Sequence, residues 1–185
     1  FSVAAGFNAL FASVEVNQVA TQVIPGGGGG VANIANVKLK GGLTPGYGWN
    51  TALSWRPSDK WAMGAYYRSH VHVAIDDGDA TFTQILTGDT LFDAVVAAGL
   101  PPAQGVSTTL EFPAMFSGGV AWHPVPNWTW EMDVNFTQWS AFEELPITFA
   151  QTTSKNVSIR EDYEDSWRVS VGAEHQLPRY TYRFG

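Results

Sequence analysis

Two histidines and two arginines are the residues whose type and spacing could support binding chemistry in this sequence. His70 and His72 would share one face of a strand, but a metal site needs more ligands, and no third one stands nearby in the sequence. Arg68 would lie on that same face, and Arg168 stands in a later segment. A guanidinium group binds a carboxylate through two parallel hydrogen bonds. We therefore interpret Arg68, His70 and Arg168 either as ligand-binding candidates or as polar groups that pair inside the fold, and we expect no metal.

Nucleophilic catalysis has no support in the sequence. Ser69 precedes His70, but successive residues of a strand point to opposite faces, so the two cannot form a dyad. The Gly-x-Ser-x-Gly motif of a nucleophile elbow does not occur. There is no cysteine, so neither a disulfide nor a thiolate metal site is possible. The five-glycine run Gly26–Gly30 lacks a following Lys-Ser/Thr pair and predicts a flexible loop tip, not a phosphate loop. We expect no enzyme and no cofactor.

Alternation of apolar and polar residues is the clearest structural signal in the chain. In the segment 128–142, Trp128, Trp130 and Met132 alternate with Glu131 and Asp133, which is typical of a strand with one apolar and one polar face. Similar segments lie at 1–19, 47–55, 61–75, 110–122 and 166–174, and residues 179–184 could begin a seventh strand. In the segment 61–75 the shared apolar face would carry Tyr67, Val71, Val73 and Ile75. Strands of about 10 residues are long enough to cross a membrane at a tilt.

The connections between these segments alternate in length. Links at 55–60, 123–127 and 176–178 are short, whereas those at 20–46, 76–109 and 143–165 are long. Short turns on one side and long loops on the other are the pattern of an outer-membrane β-barrel, with the long loops outside the cell. Trp55, Trp61, Trp122 and Trp128 lie beside short turns, as in an aromatic girdle at a membrane interface. The alternative is that these rings fill the core of a soluble sandwich.

Composition supports the membrane barrel and argues against other classes. Charged residues make up 15% of the chain, against roughly 25% in soluble domains, and no apolar run of about 20 residues predicts a spanning helix. The net charge of −7 argues against nucleic acid as a partner. The chain starts at Phe1 and stops at Gly185, part-way through a predicted strand, so we expect an internal fragment of a longer barrel. Such a fragment would expose open sheet edges, and we expect it not to fold stably alone.

One short helix is predicted inside the second long link. Residues 89–98 have a potential N-cap at Asp89, and Gly99 with the prolines that follow it would end the helix. Leu91, Phe92 and Val95 are among its large apolar side chains. Two roles are open for them: they could pack the loop, or they could shield a ligand entrance with apolar surface.

Six stretches of the chain are similar to one family of membrane proteins. They are GFNALFA at 6–12, GYGWNTAL at 46–53, YYRSHV at 66–71, LEFP at 110–113, FTQWSAF at 136–142 and YEDSWRVSVG at 163–172. In their order and spacing, which run through nearly the whole chain, they resemble the FadL/TodX family. Members of that family are outer-membrane transporters for long-chain fatty acids and aromatic hydrocarbons.

This resemblance implies a fold and a function. The fold is all-β, an antiparallel transmembrane β-barrel of roughly 14 strands with an N-terminal hatch. Residues 1–185 would be the middle part of this single domain, with about six to seven of its strands, and the hatch and the remaining strands would be absent. A hydrophobic ligand would be captured by the extracellular loops, enter a pocket in the barrel and leave sideways into the bilayer by passive diffusion. Hydrophobic small molecules and outer-membrane lipids would be the partners.

The ligand and the function leave alternatives open. Fatty-acid members of the family tend to carry basic residues on the strand that corresponds to residues 12–19, and this chain has none there. That favours an uncharged hydrocarbon, unless Arg68 takes over the role. Leu10 and Met115 would be apolar lumen residues and favour a hydrophobic path. A general porin or a structural barrel is the alternative function and would need a charged, wet lumen; a lipolytic enzyme is the third possibility and lacks its motif.

Overall fold

The chain folds almost entirely into antiparallel strands. The computed structural model describes residues 1–24 and 30–185, so the predicted loop tip at Gly26–Gly30 lies, except for Gly30, outside the described residues. The strands are β1 (Ser2–Ala12), β2 (Glu15–Val23), β3 (Val31–Lys40), β4 (Thr44–Ser58), β5 (Trp61–Arg68), β6 (Val71–Gln84), β7 (Gln104–Phe112), β8 (Met115–Trp122), β9 (Trp128–Thr137), β10 (Glu144–Phe149), β11 (Val157–Arg160), β12 (Ser166–Gln176) and β13 (Thr181–Phe184). The helix α1 (Thr90–Gly99) and two 3-10 turns, Trp139–Ala141 and Thr153–Lys155, complete the elements. No helix among the described residues is long and apolar enough to cross a membrane.

Two sheets divide the strands between them. The first, which we call the wall, has seven strands in the order β1-β4-β5-β8-β9-β12-β13. The second, which we call the loop sheet, has six strands in the order β11-β10-β7-β6-β3-β2. Between one short turn and the next, the chain runs up a wall strand, enters the loop sheet and returns to the wall. Each wall strand that leads into a long link is therefore followed by a strand of the loop sheet. The all-β class and the number of barrel strands predicted from the sequence are confirmed.

The three long links, predicted as loops, contribute the six strands of the loop sheet. Four predicted strands were also too long. The segments 1–19, 61–75, 110–122 and 128–142 each break where the chain passes between the wall and the loop sheet, at residues 13–14, 69–70, 113–114 and 138. Apolar and polar residues keep alternating across most of these breaks. The local pattern therefore cannot show where a strand changes its pairing partner, since pairing depends on distant segments.

The wall has an apolar convex face and a polar concave face, as the alternation predicted. On the convex face Phe7 is 73% exposed and Trp167 is 66% exposed, which suits contact with lipid chains and not with water. At the end with the short turns, the rings of Trp61 and Trp122 stack with their centroids 5.8 Å apart. The sequence placed these two tryptophans in an interfacial girdle, and their position on the wall agrees with it.

The largest fully buried side chains lie where the loop sheet folds over the wall. Val71, Val73 and Ile75 of β6 are at most 5% exposed. They pack against Leu10, Ala12, Val14, Leu110 and Phe112. The sequence pattern grouped these three residues with Tyr67 on the apolar face of a single membrane-crossing strand. That grouping was wrong, because β6 has turned away from the line of β5 and its apolar side chains meet the concave side of β1.

Glycines on β4 make room for this crossing. A Cβ atom added to Gly46 would lie 2.5 Å from a methyl group of Val73 and 2.8 Å from the carbonyl oxygen of His72. One added to Gly48 would lie 2.7 Å from a methyl group of Val71. Real Cβ contacts are not this short, so only glycine lets β6 approach β4 so closely.

Candidate functional site

An apolar pocket, which we call the loop pocket, lies between α1 and the loop sheet. Its volume is about 490 Å³. Its walls include Val95 and Val96 of the helix, Phe82 of β6, Phe149 of β10 and Val157 of β11. The pocket is therefore built from all three long links, which the sequence places far apart, and it lies on the side of the molecule opposite the short turns.

Hydrogen bonds fix α1 over this pocket. The Asp89 carboxylate caps the helix by accepting from the backbone N–H groups of Leu91 at 3.0 Å and Phe92 at 3.1 Å. The Asp93 carboxylate accepts from the Thr87 backbone N–H at 2.9 Å and the Thr87 hydroxyl at 2.8 Å. These bonds, with one from the Gly88 N–H, favour the charged carboxylate and lower the pKa of Asp93. The predicted helix and its N-cap at Asp89 are confirmed, with the helix one residue later than expected.

The three apolar residues predicted on the helix have different surroundings. Phe92 is 7% exposed and anchors the helix together with buried Val96. Val95 is 67% exposed and lines the loop pocket. Leu91 is 81% exposed and is not one of the lining residues. Phe92 thus packs the loop, whereas the Val95 side chain forms part of the open pocket wall.

Lys155 is a pocket residue that the sequence analysis missed. It carries the only charge among the described side chains that line the loop pocket. The turn that presents it is held by Gln104, whose amide donates to the Thr152 hydroxyl at 2.7 Å and whose carbonyl accepts from the Thr152 N–H at 2.9 Å. No motif surrounds this lysine, so only its position in the fold distinguishes it from other exposed lysines.

A second cavity, the concave groove, runs along the inner face of the wall. Its volume is about 600 Å³. Gly64 and Gly119 lie directly opposite each other in the floor of the groove, and Asp133, Asn135 and Arg168 also line it. The groove is therefore polar, in contrast to the loop pocket.

The predicted network of ion pairs on this inner face is present only in part. Arg183 Nε and a Glu174 carboxylate oxygen form an ion pair at 2.6 Å. Among the described residues, Arg168 has no ion pair with a carboxylate, although Asp133 and Glu131 line the same groove. Arg168 thus remains a candidate for binding a ligand in the concave groove.

The other predicted binding residues lie near the break between β5 and β6. Arg68 and Met115 are paired across β5 and β8, and the Arg68 guanidinium donates to the Met115 sulfur at 3.1 Å. His70 is exposed in the break itself. β8 and β9 separate Arg68 from Arg168, so three strand spacings of about 4.8 Å keep their backbones roughly 14 Å apart. The structure places the two arginines on strands that are not neighbours.

His72 lies opposite a carboxylate in the loop sheet. Its Nδ1 contacts the carboxylate of Glu111, which lies opposite it on β7. No group of three or more His, Asp or Glu side chains within the described ranges is close enough to hold a metal ion.

The whole chain, residues 1–185, matches the family model described as "Outer membrane protein transport protein (OMPP1/FadL/TodX)". The chain belongs to this family. The resemblance drawn from the six sequence stretches is thereby confirmed. The wall is part of a barrel of the bacterial outer membrane.

Solved structures with the same fold come from several bacteria. A FadL homologue from Pseudomonas aeruginosa has a TM-score of 0.65 at 20% identity and covers 98% of this chain and 43% of its own. The toluene transporter TbuX from Ralstonia pickettii has a TM-score of 0.60 at 14% identity, with 98% and 51% covered. The toluene transporter TodX from Pseudomonas putida has a TM-score of 0.54 at 19% identity, with 80% and 37% covered. This chain spans about half the length of these proteins or less. Comparison with the curated proteins gives no significant match.

Proposed function

We propose that the protein moves hydrophobic small molecules across the outer membrane by passive diffusion and that the loop pocket is where they enter. The loop pocket carries this proposal, because its aliphatic and aromatic walls would hold an apolar solute at the outer end of the barrel. Removing apolar surface from water stabilises by about 25 cal/mol per Å². A small aromatic solute could therefore bind there without any reaction or cofactor. The family to which the chain belongs, and the toluene transporters with the same fold, support this role.

The concave face offers a continuation of the path. Leu10 and Met115 lie on that face, near the crossing of β6 over the wall, and add apolar surface above the polar groove. A ligand that has left the loop pocket would need such surface, because an apolar solute gains nothing from the groove's charged side chains. We expect the ligand to stay in the upper part of the barrel, next to the loop sheet.

Two ligand classes remain under this proposal, and different observations support them. Lys155 in the loop pocket and Arg68 on the concave face could each bind the carboxylate of a fatty acid. The absence of a base from residues 12–19 supports an uncharged aromatic hydrocarbon. Long-chain fatty acids and aromatic hydrocarbons differ in charge, so the same uptake assay can separate them.

The test is uptake by the full-length parent protein in a Gram-negative host that lacks its own fatty-acid transporter. Labelled oleate and labelled toluene are compared, first with the unchanged protein and then with Val95→Asp. A charge at Val95 should lower uptake of the accepted compound because it polarises the wall of the loop pocket. Ala94→Asp puts the same charge on an exposed helix position outside the pocket lining and should leave uptake unchanged. Equal uptake by all three proteins would contradict the loop pocket as the entrance.

A general porin is the second candidate function, and the polar concave groove favours it. Glu131, Asp133 and Arg168 line this groove, and such side chains are typical of a water-filled lumen. Swelling of liposomes that contain the full-length protein measures the entry of small sugars. Rapid swelling without uptake of oleate or toluene would replace the proposed function by this one.

A further inference from the structure

A third pocket, which we call the boundary pocket, lies where the wall meets the loop sheet. Its volume is about 580 Å³. Trp139, Phe142 and Tyr163 line it with their rings, and the Tyr163 ring lies 5.9 Å from that of Trp139 and 5.8 Å from that of Phe142. Two carboxylates, of Glu111 and Glu164, complete the lining. The boundary pocket shares no lining residue with the loop pocket or the concave groove.

The pocket exists because two neighbouring strands separate at this level. In the wall, the last bond between them is the Gln138 N–H donating to the Ala114 carbonyl at 3.0 Å. Pairing resumes in the loop sheet, where Thr108 lies opposite Ile147. Between these points, residues 109–113 and 139–146 do not pair with each other in the described ladders. The 3-10 turn Trp139–Ala141 takes up the extra length and carries the indole into the opening.

Contacts around the pocket hold its polar and aromatic groups in place. The Glu111 carboxylate contacts Nδ1 of His72 on the neighbouring strand. The Ser140 N–H donates to the Asp165 carboxylate at 2.9 Å, which ties the 3-10 turn to the link that carries Tyr163. The carboxylate of Glu161 raises the pKa of Tyr163 through hydrogen bonding and charge, so this residue stays a neutral phenol. These contacts hold Glu111, the 3-10 turn and the link that carries Tyr163 in place.

The electrostatics of the boundary pocket select one kind of ligand. The face of an aromatic ring is negative, so rings attract cations but gain little from anions. Trp139 and Tyr163 are 40% and 48% exposed, which leaves ring surface for a ligand to cover. Glu111 and Glu164 add two carboxylates, of which Glu111 also contacts the His72 ring, and the described lining includes no lysine or arginine. A neutral hydrocarbon would cover the carboxylates at a cost in free energy, whereas a cation satisfies both the rings and the charges.

We propose that the boundary pocket binds an organic ammonium ion whose substituents are apolar or aromatic, such as a quaternary ammonium compound or an aromatic amine. The ammonium group sits between the two carboxylates and the rings, and its apolar substituents cover the indole and phenol faces. Two sources of this chemistry reach the boundary of a membrane: a dissolved ammonium compound and the phosphoethanolamine headgroup of a lipid. The site is independent of the proposed transport of hydrophobic compounds.

Calorimetric titration of the full-length parent protein in a non-ionic detergent at pH 8 tests this site. Benzyltrimethylammonium is compared with neopentylbenzene, in which a carbon atom replaces the charged nitrogen and the shape is kept. The cation should bind about tenfold more tightly or better, since cation–π contacts and charge act on it alone. Equal affinity of the two compounds, or no binding of the cation, would overturn the proposal without any need for a variant.

A pair of variants then assigns the preference to these residues. The double variant Glu111→Gln, Glu164→Gln should lose most of the tenfold preference while it still binds the neutral compound. Glu143→Gln removes an exposed carboxylate that is not in the lining and should keep the preference; a double variant with unchanged preference would overturn the assignment. Titrations in non-ionic detergent micelles with and without added phosphatidylethanolamine separate the two sources, because this lipid leaves the micelle surface without net charge. Weaker binding of the cation in the presence of phosphatidylethanolamine identifies the headgroup as the resident ligand, and equal binding identifies the dissolved ammonium compound.

Discussion

Ser69 and Trp49 are joined by two hydrogen bonds at the place where β5 separates from β4. The Trp49 N–H donates to the Ser69 hydroxyl oxygen at 2.9 Å, and the Ser69 N–H donates to the Trp49 carbonyl at 2.9 Å. Ser69 is only 7% exposed. Beyond this pair, residues 44–48 stay in the ladder with β1, while β6 crosses the concave side of β4. The serine hydroxyl thus replaces a strand partner at the end of the β4–β5 ladder.

Ser69→Ala should destabilise the barrel by about 1–3 kcal/mol, because the Trp49 N–H would lose its acceptor in a partly buried place. Urea unfolding of the full-length protein in lipid vesicles measures the free energy of unfolding. Ser13→Ala changes an exposed serine in another break and should alter that free energy by less than about 0.5 kcal/mol. If the two changes lower the free energy of unfolding equally, the hydrogen bond between Ser69 and Trp49 does not stabilise the barrel.

Gly46→Ala should cost about 1–3 kcal/mol, because the added methyl group would overlap Val73 and the His72 carbonyl and force β6 away from β4. Urea unfolding of the full-length protein in lipid vesicles measures this loss of stability. Gly64→Ala is the matched control on the wall, since the nearest atom to its added Cβ would be 3.8 Å away. The prediction fails if both glycine changes have the same effect on stability.

Lys155→Met should lower oleate uptake about tenfold and leave toluene uptake unchanged if a carboxylate pairs with this lysine in the loop pocket. Arg68→Met makes the same test on the concave face. Lys60→Met, at a short turn, is the control for loss of a positive charge elsewhere. Parallel loss of oleate and toluene uptake would mean that the changed residue acts through the fold and does not bind the carboxylate.

Asp93 should make the loop that carries α1 sensitive to acid. The pKa of Asp93 is lowered in the folded protein, so its stabilising effect is complete above its ordinary pKa of 3.8 and is lost as the pH falls through the lowered value. Hydrogen exchange of residues 87–99, corrected for the intrinsic pH dependence, should therefore speed up only below about pH 4.

Asp93→Ala should produce the same loosening at neutral pH, because Thr87 and Gly88 lose their acceptor. The exchange of wall strands should not change, since they do not contact this carboxylate. Asp59→Ala, in the turn between β4 and β5, is the control for removal of an acidic residue. Unchanged exchange over α1 in Asp93→Ala would show that the bonds from Thr87 do not hold the helix.

Most of the wall could be predicted from the sequence because the information is local. Alternating residues such as Trp130, Glu131, Met132 and Asp133 identify a strand and its two faces within a few positions. The breaks could not be predicted in this way. The spacing of Val71 and Val73 predicts that they face the membrane. In the structure they are buried, because the glycines of β4, more than twenty positions earlier, let β6 approach β4 closely.

In the candidate sites, too, the features that depend on local sequence could be predicted and those that join distant segments could not. The sequence identified α1, its cap and the apolar residue Val95, since a helix start and its periodicity are local signals. It missed Lys155 in the loop pocket and the grouping of Trp139 and Tyr163 with Glu111. Each of those groupings joins segments that are far apart in the sequence, so no local spacing records it.

The sequence by itself determined the membrane-spanning strands, their apolar and polar faces and the membership of an outer-membrane family, because these depend on short-range alternation and on recognisable stretches. Only the tertiary structure decided which strands leave the wall, how the long links pair into a second sheet and which side chains meet in each pocket. The physical reason is that pairing and close approach depend on what lies opposite a residue. For Ser69 that is Trp49, and for Val73 it is Gly46.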